Sequence, residues 1–245
     1  MEDINKFDQV LSSVGIHMKP DLVKANLRGK IDVAKLNQGK LKEYFKLLTS
    51  INYFYKKILK YDVYFTEFYP KTDNIRDDEA LEHHIFGYLE DIDILRNKLS
   101  VFLGVLKNDL KKISSNKQEI ENAIKLFRDK VEGVFSQVKE HRHPHHHRGT
   151  KFLESNLLDV QAAHTMLQPE TRKVIEEIKG REFIKDLENM EKDSFIKAKN
   201  NWIALAKKNK GNIYVLLDSI FDRNEDFIYK VLNIRSTKEL FEEES

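Results

Sequence analysis

The sequence predicts an all-α protein: an antiparallel bundle of long helices, with additional helices at the C-terminal end. Three observations predict it. Glycine and proline are scarce, nine and four in 245 residues, and an all-β fold needs turns more often than so few breakers permit. Apolar residues recur at steps of three and four, the period of a helix with one buried face. The connections between these periodic stretches are short and carry helix-stop and helix-start chemistry.

Taken in order, residues 1–35 are expected as short helices and loops, because Pro20 and Gly29 break the pattern. The first clear stripe is Leu41, Phe45, Leu48, Tyr55, Ile58 and Leu59. The second begins at Leu81 and continues through Ile85, Tyr88, Ile92, Leu95, Leu99, Phe102, Leu106 and Leu110 to Ile113. The third is Ile120, Ile124, Phe127, Val131, Phe135 and Val138. Only Ser114, Ser115 and Asn116 separate the second from the third, so these two helices are antiparallel neighbours.

A further helix is expected over about Phe152 to Leu167, and Pro169 opens the next. A long charged helix with Ile175, Ile178, Ile184, Leu187, Trp202 and Leu205 follows, with a break near Gly180 and an end at Gly211. Ile213 to Val231 forms one more helical stretch, and the acidic tail from Thr237 is expected to fray. The domain organisation that results is an N-terminal segment at 1–35, a helical bundle at 36–168 and a C-terminal helical extension at 169–245.

Composition excludes several classes. With no cysteine there is no disulfide framework, thiolate metal site or thiol nucleophile. No apolar run reaches the roughly 18 residues of a membrane helix, and MEDINKFDQV lacks the regions of a signal peptide. The expectation is a cytoplasmic protein with no membrane partner. Forty-two basic against 40 acidic residues give no bulk field toward nucleic acid, though a local basic groove fits inside a neutral total. No glycine-rich phosphate loop, nucleophile elbow or kinase motif is present.

One segment stands out, EHRHPHHHRGT, which holds five of the nine histidines: His141, His143, His145, His146 and His147. The apolar stripe of the third helix steps from Val131 to Phe135 to Val138, and its next step lands on Arg142. A guanidinium in a core register costs free energy unless something pairs with it. Pro144 disfavours helical backbone at His143, so the helix is expected to end there. Counting back from the turn at Asn116, Arg142 faces the region of Leu89 and His147 faces His84, to within about one helical turn. His83, His84, Tyr88 and Glu90 thereby become neighbours of the cluster.

Arg142, His143 and His147 stand in the order Arg, polar residue, three residues, His. This resembles the motif of the HEPN superfamily (higher eukaryotes and prokaryotes nucleotide-binding). The long amphipathic helix leading into it and the helix after it also resemble that family, over roughly residues 40–168. His143 stands where the family most often has Asn. The resemblance implies a helical bundle that often dimerises; many members of the family cleave RNA without metal or other cofactor, and others have lost catalysis and only bind. Many such proteins act as toxins or in phage defence, so an antitoxin or defence-system partner belongs to the expectation. Histidine titrates near neutrality and suits base or acid, while arginine offers a fixed charged fork to phosphate. Arg142, His143 and His147 are the candidate catalytic residues. His146, Arg148, His84 and Tyr88 are candidates for contacting substrate RNA.

Two other readings remain open at this stage. One is metal binding by His143, His145 and His147, completed by His83 and His84. The other is a helical interaction protein without activity, in which Lys197, Lys199, Lys207, Lys208 and Lys210 around Trp202 are a candidate RNA surface. For Trp202 the simpler expectation is a core position with solvated lysines around it. His164 is expected as a satisfied helix-face histidine. Arg96-Asn97 begins like the motif, but no histidine follows at the right distance, and a structural role is expected for it.

Overall fold

The computed structural model describes residues 5–25, 39–72, 74–147, 155–237 and 239, giving backbone only for 19–25 and 137–147. Among them it is all-α, with the helices α1 (Lys6–Ala25), α2 (Lys40–Ile58), α3 (Tyr61–Glu67), α4 (Asp77–Ile113), α5 (Lys117–His147), α6 (Ser155–Met166), α7 (Pro169–Lys179), α8 (Arg181–Asp222) and α9 (Glu225–Leu232). No helix among the described residues is long and apolar enough to cross a membrane.

The chain forms two compact units. Unit 1 comprises Met1–Lys56, Asp93–Ser136 and Gly211–Ser245, and unit 2 comprises Lys57–Ile92 and Gln137–Lys210. Each is discontinuous in sequence, and α4, α5 and α8 each contribute residues to both.

Unit 1 is built on aromatic packing. Phe7 of α1 meets Phe221 of α8 at 4.9 Å between ring centroids, and Phe102 of α4 meets the same Phe221 at 5.0 Å. All three rings are fully buried, and burying each contributes about 1.5–3 kcal/mol relative to exposure. Asn5 donates to the Tyr214 carbonyl at 3.2 Å and Asp218 accepts from the Lys6 backbone at 3.0 Å, which ties the start of α1 to α8.

The α4–α5 hairpin has the predicted register. Asn116 caps α5: its Oδ1 accepts from the Glu119 N–H, and its Nδ2 donates to Glu119 Oε2. Asn116 is thus the N-cap of α5, and its own backbone N–H donates to Ser114 Oγ at 3.2 Å. Across the hairpin Lys111 pairs with Glu121, and Arg96 reaches Glu132 at 3.3 Å. Arg96 also pairs with Asp93 at 3.0 Å, so its role is structural.

The α4 stripe is buried from Leu81 to Leu110, whereas Ile113 is exposed. The α2 stripe is displaced from the expected one. Tyr44, Leu48, Ile51, Tyr55 and Ile58 are buried, while Leu41, Phe45 and Leu59 lie at the margin. Tyr44 enters the core because its hydroxyl has a buried acceptor there, Asp109 Oδ2 at 3.3 Å.

Three expected helix ends are overridden. α1 runs through Pro20, where a break was predicted. α8 runs through Gly211 to Asp222: a lone glycine costs only about 1 kcal/mol in a helix, and the buried face continues past it with Ile213, Leu216, Leu217 and Ile220. α5 continues past Pro144 to His147. Proline there has no N–H for the Glu140 carbonyl, and one lost bond near a helix end does not stop the chain. Gly180 does break the chain, at φ +85°, and Pro169 opens α7.

Candidate functional site

Arg142, His143 and His147 lie in unit 2, on the last turns of α5. Because α5 is helical to His147, His143 and His147 are one turn apart on its backbone. The side chains of Arg142, His143, His145, His146 and His147 lie outside the described residues, as does Arg148. The start of the next helix at Phe152 and the tail beyond Glu239 also fall outside them.

The α4 residues expected to neighbour the histidine segment are among the described residues. α4 begins with the Glu79 carboxylate accepting the Arg76 N–H at 3.0 Å. Arg76 also forks onto buried Asp78, with Nε–Oδ1 at 2.8 Å and Nη2–Oδ2 at 2.7 Å, the bidentate geometry that makes such pairs directional. One turn further on, His84 is half-buried. Its ring stacks on Tyr64 with centroids 6.1 Å apart, and its Nε2 is 2.7 Å from the Phe68 carbonyl. With that nitrogen donating to a carbonyl, Nδ1 is the ring nitrogen left as an acceptor in the neutral form. His83, next to it, is exposed.

Tyr88 has no exposed surface. Its ring packs against Tyr61, Phe65 and Trp202, and its hydroxyl accepts from Asn209 Nδ2 at 2.9 Å. Burial raises its pKa far above the ordinary value. Tyr88 is therefore part of the unit 2 core, beneath the surface that carries His83 and His84.

The polar centre of that core was not foreseen from the sequence. Asp91 is buried, accepts the Tyr61 hydroxyl at 2.5 Å on Oδ2, and accepts Lys57 Nζ at 2.8 Å on Oδ1. Burial, followed by the bond to Asp91, raises the Tyr61 pKa well beyond its ordinary value. Lys57 lies in the last turn of α2 and Tyr61 opens α3, so the α2–α3 corner presents both to the same carboxylate.

Unit 1 holds the same arrangement, with Lys40 and Tyr44 four residues apart and Asp109 as their acceptor. Lys112 joins it at 3.1 Å. Two signals were available in the sequence: the recurrence of Lys-x3-Tyr, and an Asp91 whose i±3 and i±4 neighbours (Gly87, Tyr88, Ile94 and Leu95) offer it no cation.

Trp202 is buried against Phe65 and Tyr88, so it is a core residue and offers no face for base stacking. Lys199 donates to the Thr66 carbonyl at 3.1 Å and lies 4.5 Å from the Tyr69 ring centroid. Tyr69 donates to the Phe65 carbonyl at 2.8 Å, and burial with the charge of Asp77 pushes its hydroxyl up to about 12. His164 is satisfied, with Nδ1 3.0 Å from Glu191 Oε1 and Nε2 2.7 Å from Gln168. Among the described residues no three His, Asp or Glu side chains converge to hold a metal ion.

These elements define an all-α protein with a histidine-rich helix end in unit 2 and, in each unit, a buried Tyr–Asp pair joined by a half-exposed lysine. Comparison with protein-family models, with curated proteins and with solved structures finds no match to this chain.

Proposed function

We propose that the protein is a HEPN-like, metal-independent endoribonuclease of the cytoplasm. The observation that carries the reading is the motif itself, Arg142, His143 and His147 at family spacing. It lies on the second arm of an antiparallel helical hairpin. In this reading the RNA 2′-hydroxyl attacks the adjacent phosphate. A bond forms from O2′ to phosphorus, the bond from phosphorus to O5′ breaks, and a 2′,3′-cyclic phosphate and a 5′-hydroxyl result.

His147 takes the 2′-proton or returns one to O5′, a role worth about 10²–10⁴ in rate. Arg142 holds the phosphate as charge builds on it, and His143 orients the two or binds phosphate. His146, Arg148 and His84 are the proposed RNA contacts. A homodimer supplies a second set of groups to one cleft, and an antitoxin or defence partner restrains or triggers it. Incubation of purified protein with RNA in EDTA, with mass identification of the new ends, tests the reading. Cyclic phosphate ends support it, and intact RNA counts against it.

A second reading, a helical binding protein without catalysis, has one observation in its favour. α7 buries none of its residues, and Val174 and Ile178 on it are 53% and 71% exposed, more apolar surface than a lone helix usually leaves to water.

A further inference from the structure

Unit 1 contains a groove of about 410 Å³ where the α4–α5 turn meets the α8–α9 corner. This is within the size range of small-molecule sites, about 300–1,000 Å³. Leu110, Ile124 and Phe127 line it and are themselves buried. Leu126 and Phe227 also line it and are 47% and 46% exposed. The lining joins apolar side chains, two of them large and half-exposed, to a few polar ones, a mixture that small-molecule sites share.

The polar groups on the lining are unequal. Glu119 is engaged by Asn116 at 2.9 Å and sits in the first turn of α5, where the helix dipole favours a carboxylate. Asn224 is buried and donates to the Ile220 carbonyl at 2.6 Å. Arg223 is different: it lines the groove from an exposed position, and water rather than any hydrogen-bond or ion-pair partner among the described residues solvates its guanidinium. A guanidinium without a partner beside an apolar cleft is complementary to an anion carried on an apolar body.

We propose that this groove binds a small amphipathic carboxylate, its hydrocarbon against Phe127, Leu126 and Phe227 and its carboxylate on Arg223. The site is independent of the ribonuclease reading, since the groove lies in unit 1 and the motif in unit 2.

Calorimetric titration with decanoate, 1-decanol and decyltrimethylammonium, each below its micelle concentration, tests it. Decanoate should bind one site per chain, about tenfold tighter than decanol, with the cation weakest. Arg223→Gln should bring decanoate down to the level of decanol. Ala123→Trp, which fills the lining from an exposed position, should weaken both alcohol and acid at least about tenfold, with the urea midpoint unchanged in each variant. Three results would overturn the proposal: no saturable decanoate binding to wild type, equal binding of all three probes regardless of variant, or a wild-type dimer that Ala123→Trp dissociates. The last would give the groove to a second copy.

Discussion

Tyr61 lies across the bare backbone of Gly87: a methyl group on Gly87 would come within 2.9 Å of the Tyr61 hydroxyl oxygen. The absence of a side chain at 87 is what lets the phenol reach Asp91 on the same helix. The ring has little room to retreat, because Tyr64, Phe65 and Tyr88 pack around it.

Gly87→Ala is therefore expected to destabilise the protein by about 1–2 kcal/mol, although alanine is the better helix former. Gly211→Ala, mid-helix with nothing within 4 Å of the added carbon, should stabilise by about 0.5–1 kcal/mol. Urea unfolding of the two variants checks the pair. Equal effects of the same sign would show that the 87 contact carries no weight.

The two Lys–Tyr–Asp nodes should not respond alike. Tyr61 is 2.5 Å from a carboxylate whose other partner is Lys57, whereas Tyr44 is 3.3 Å from an Asp109 that also has Lys40 and Lys112. Tyr61→Phe is expected to cost about 1.5–3 kcal/mol, the range for hydrogen bonds to charged groups, and Tyr44→Phe about 0.5–1.5 kcal/mol. The comparison of urea midpoints reads this directly, and a larger loss for Tyr44→Phe would contradict it.

Asp109 makes stability depend on acid. Burial works to raise its pKa, but the hydrogen bonds and charges of Lys40 and Lys112 outweigh burial and hold the carboxyl below its ordinary value of 3.8. A depressed folded-state pKa gives stability that is fully present above that ordinary value. It is lost as pH falls through the lower folded one. Asp109→Asn should cost about 1–2 kcal/mol at neutral pH, a modest loss because the freed lysines are half-exposed or more and turn to water. Its stability should fall less steeply than wild type below about pH 4. Parallel acid limbs in urea titrations of the two proteins would count against this assignment.

Periodicity made most of the fold legible. It identified α4 and α5, their turn and their register, because a long apolar stripe is a strong signal and a three-residue connection leaves one arrangement. It failed where local chemistry competes with packing. Pro20, Pro144 and Gly211 each oppose helix locally, and the buried face of α8 outweighs the penalty at Gly211. It also missed Tyr44 and Ile51, since a polar hydroxyl becomes a core group only when another helix brings an acceptor such as Asp109. Of the candidate site, composition alone picked out the histidine segment, while the burial of Tyr88 and the engagement of His84 depend on α3 and α8. No single-helix pattern reports contacts of that kind.

The ribonuclease account turns on one comparison: RNA cleavage in EDTA by wild type, Arg142→Ala and His147→Ala, each first shown to be folded by circular dichroism. The account predicts cleavage by wild type that leaves 2′,3′-cyclic phosphate ends, with a loss of about 10²-fold or more in each variant. Cleavage unchanged in both variants, or none by wild type on any RNA, would contradict it and leave the motif as a feature of the helix alone.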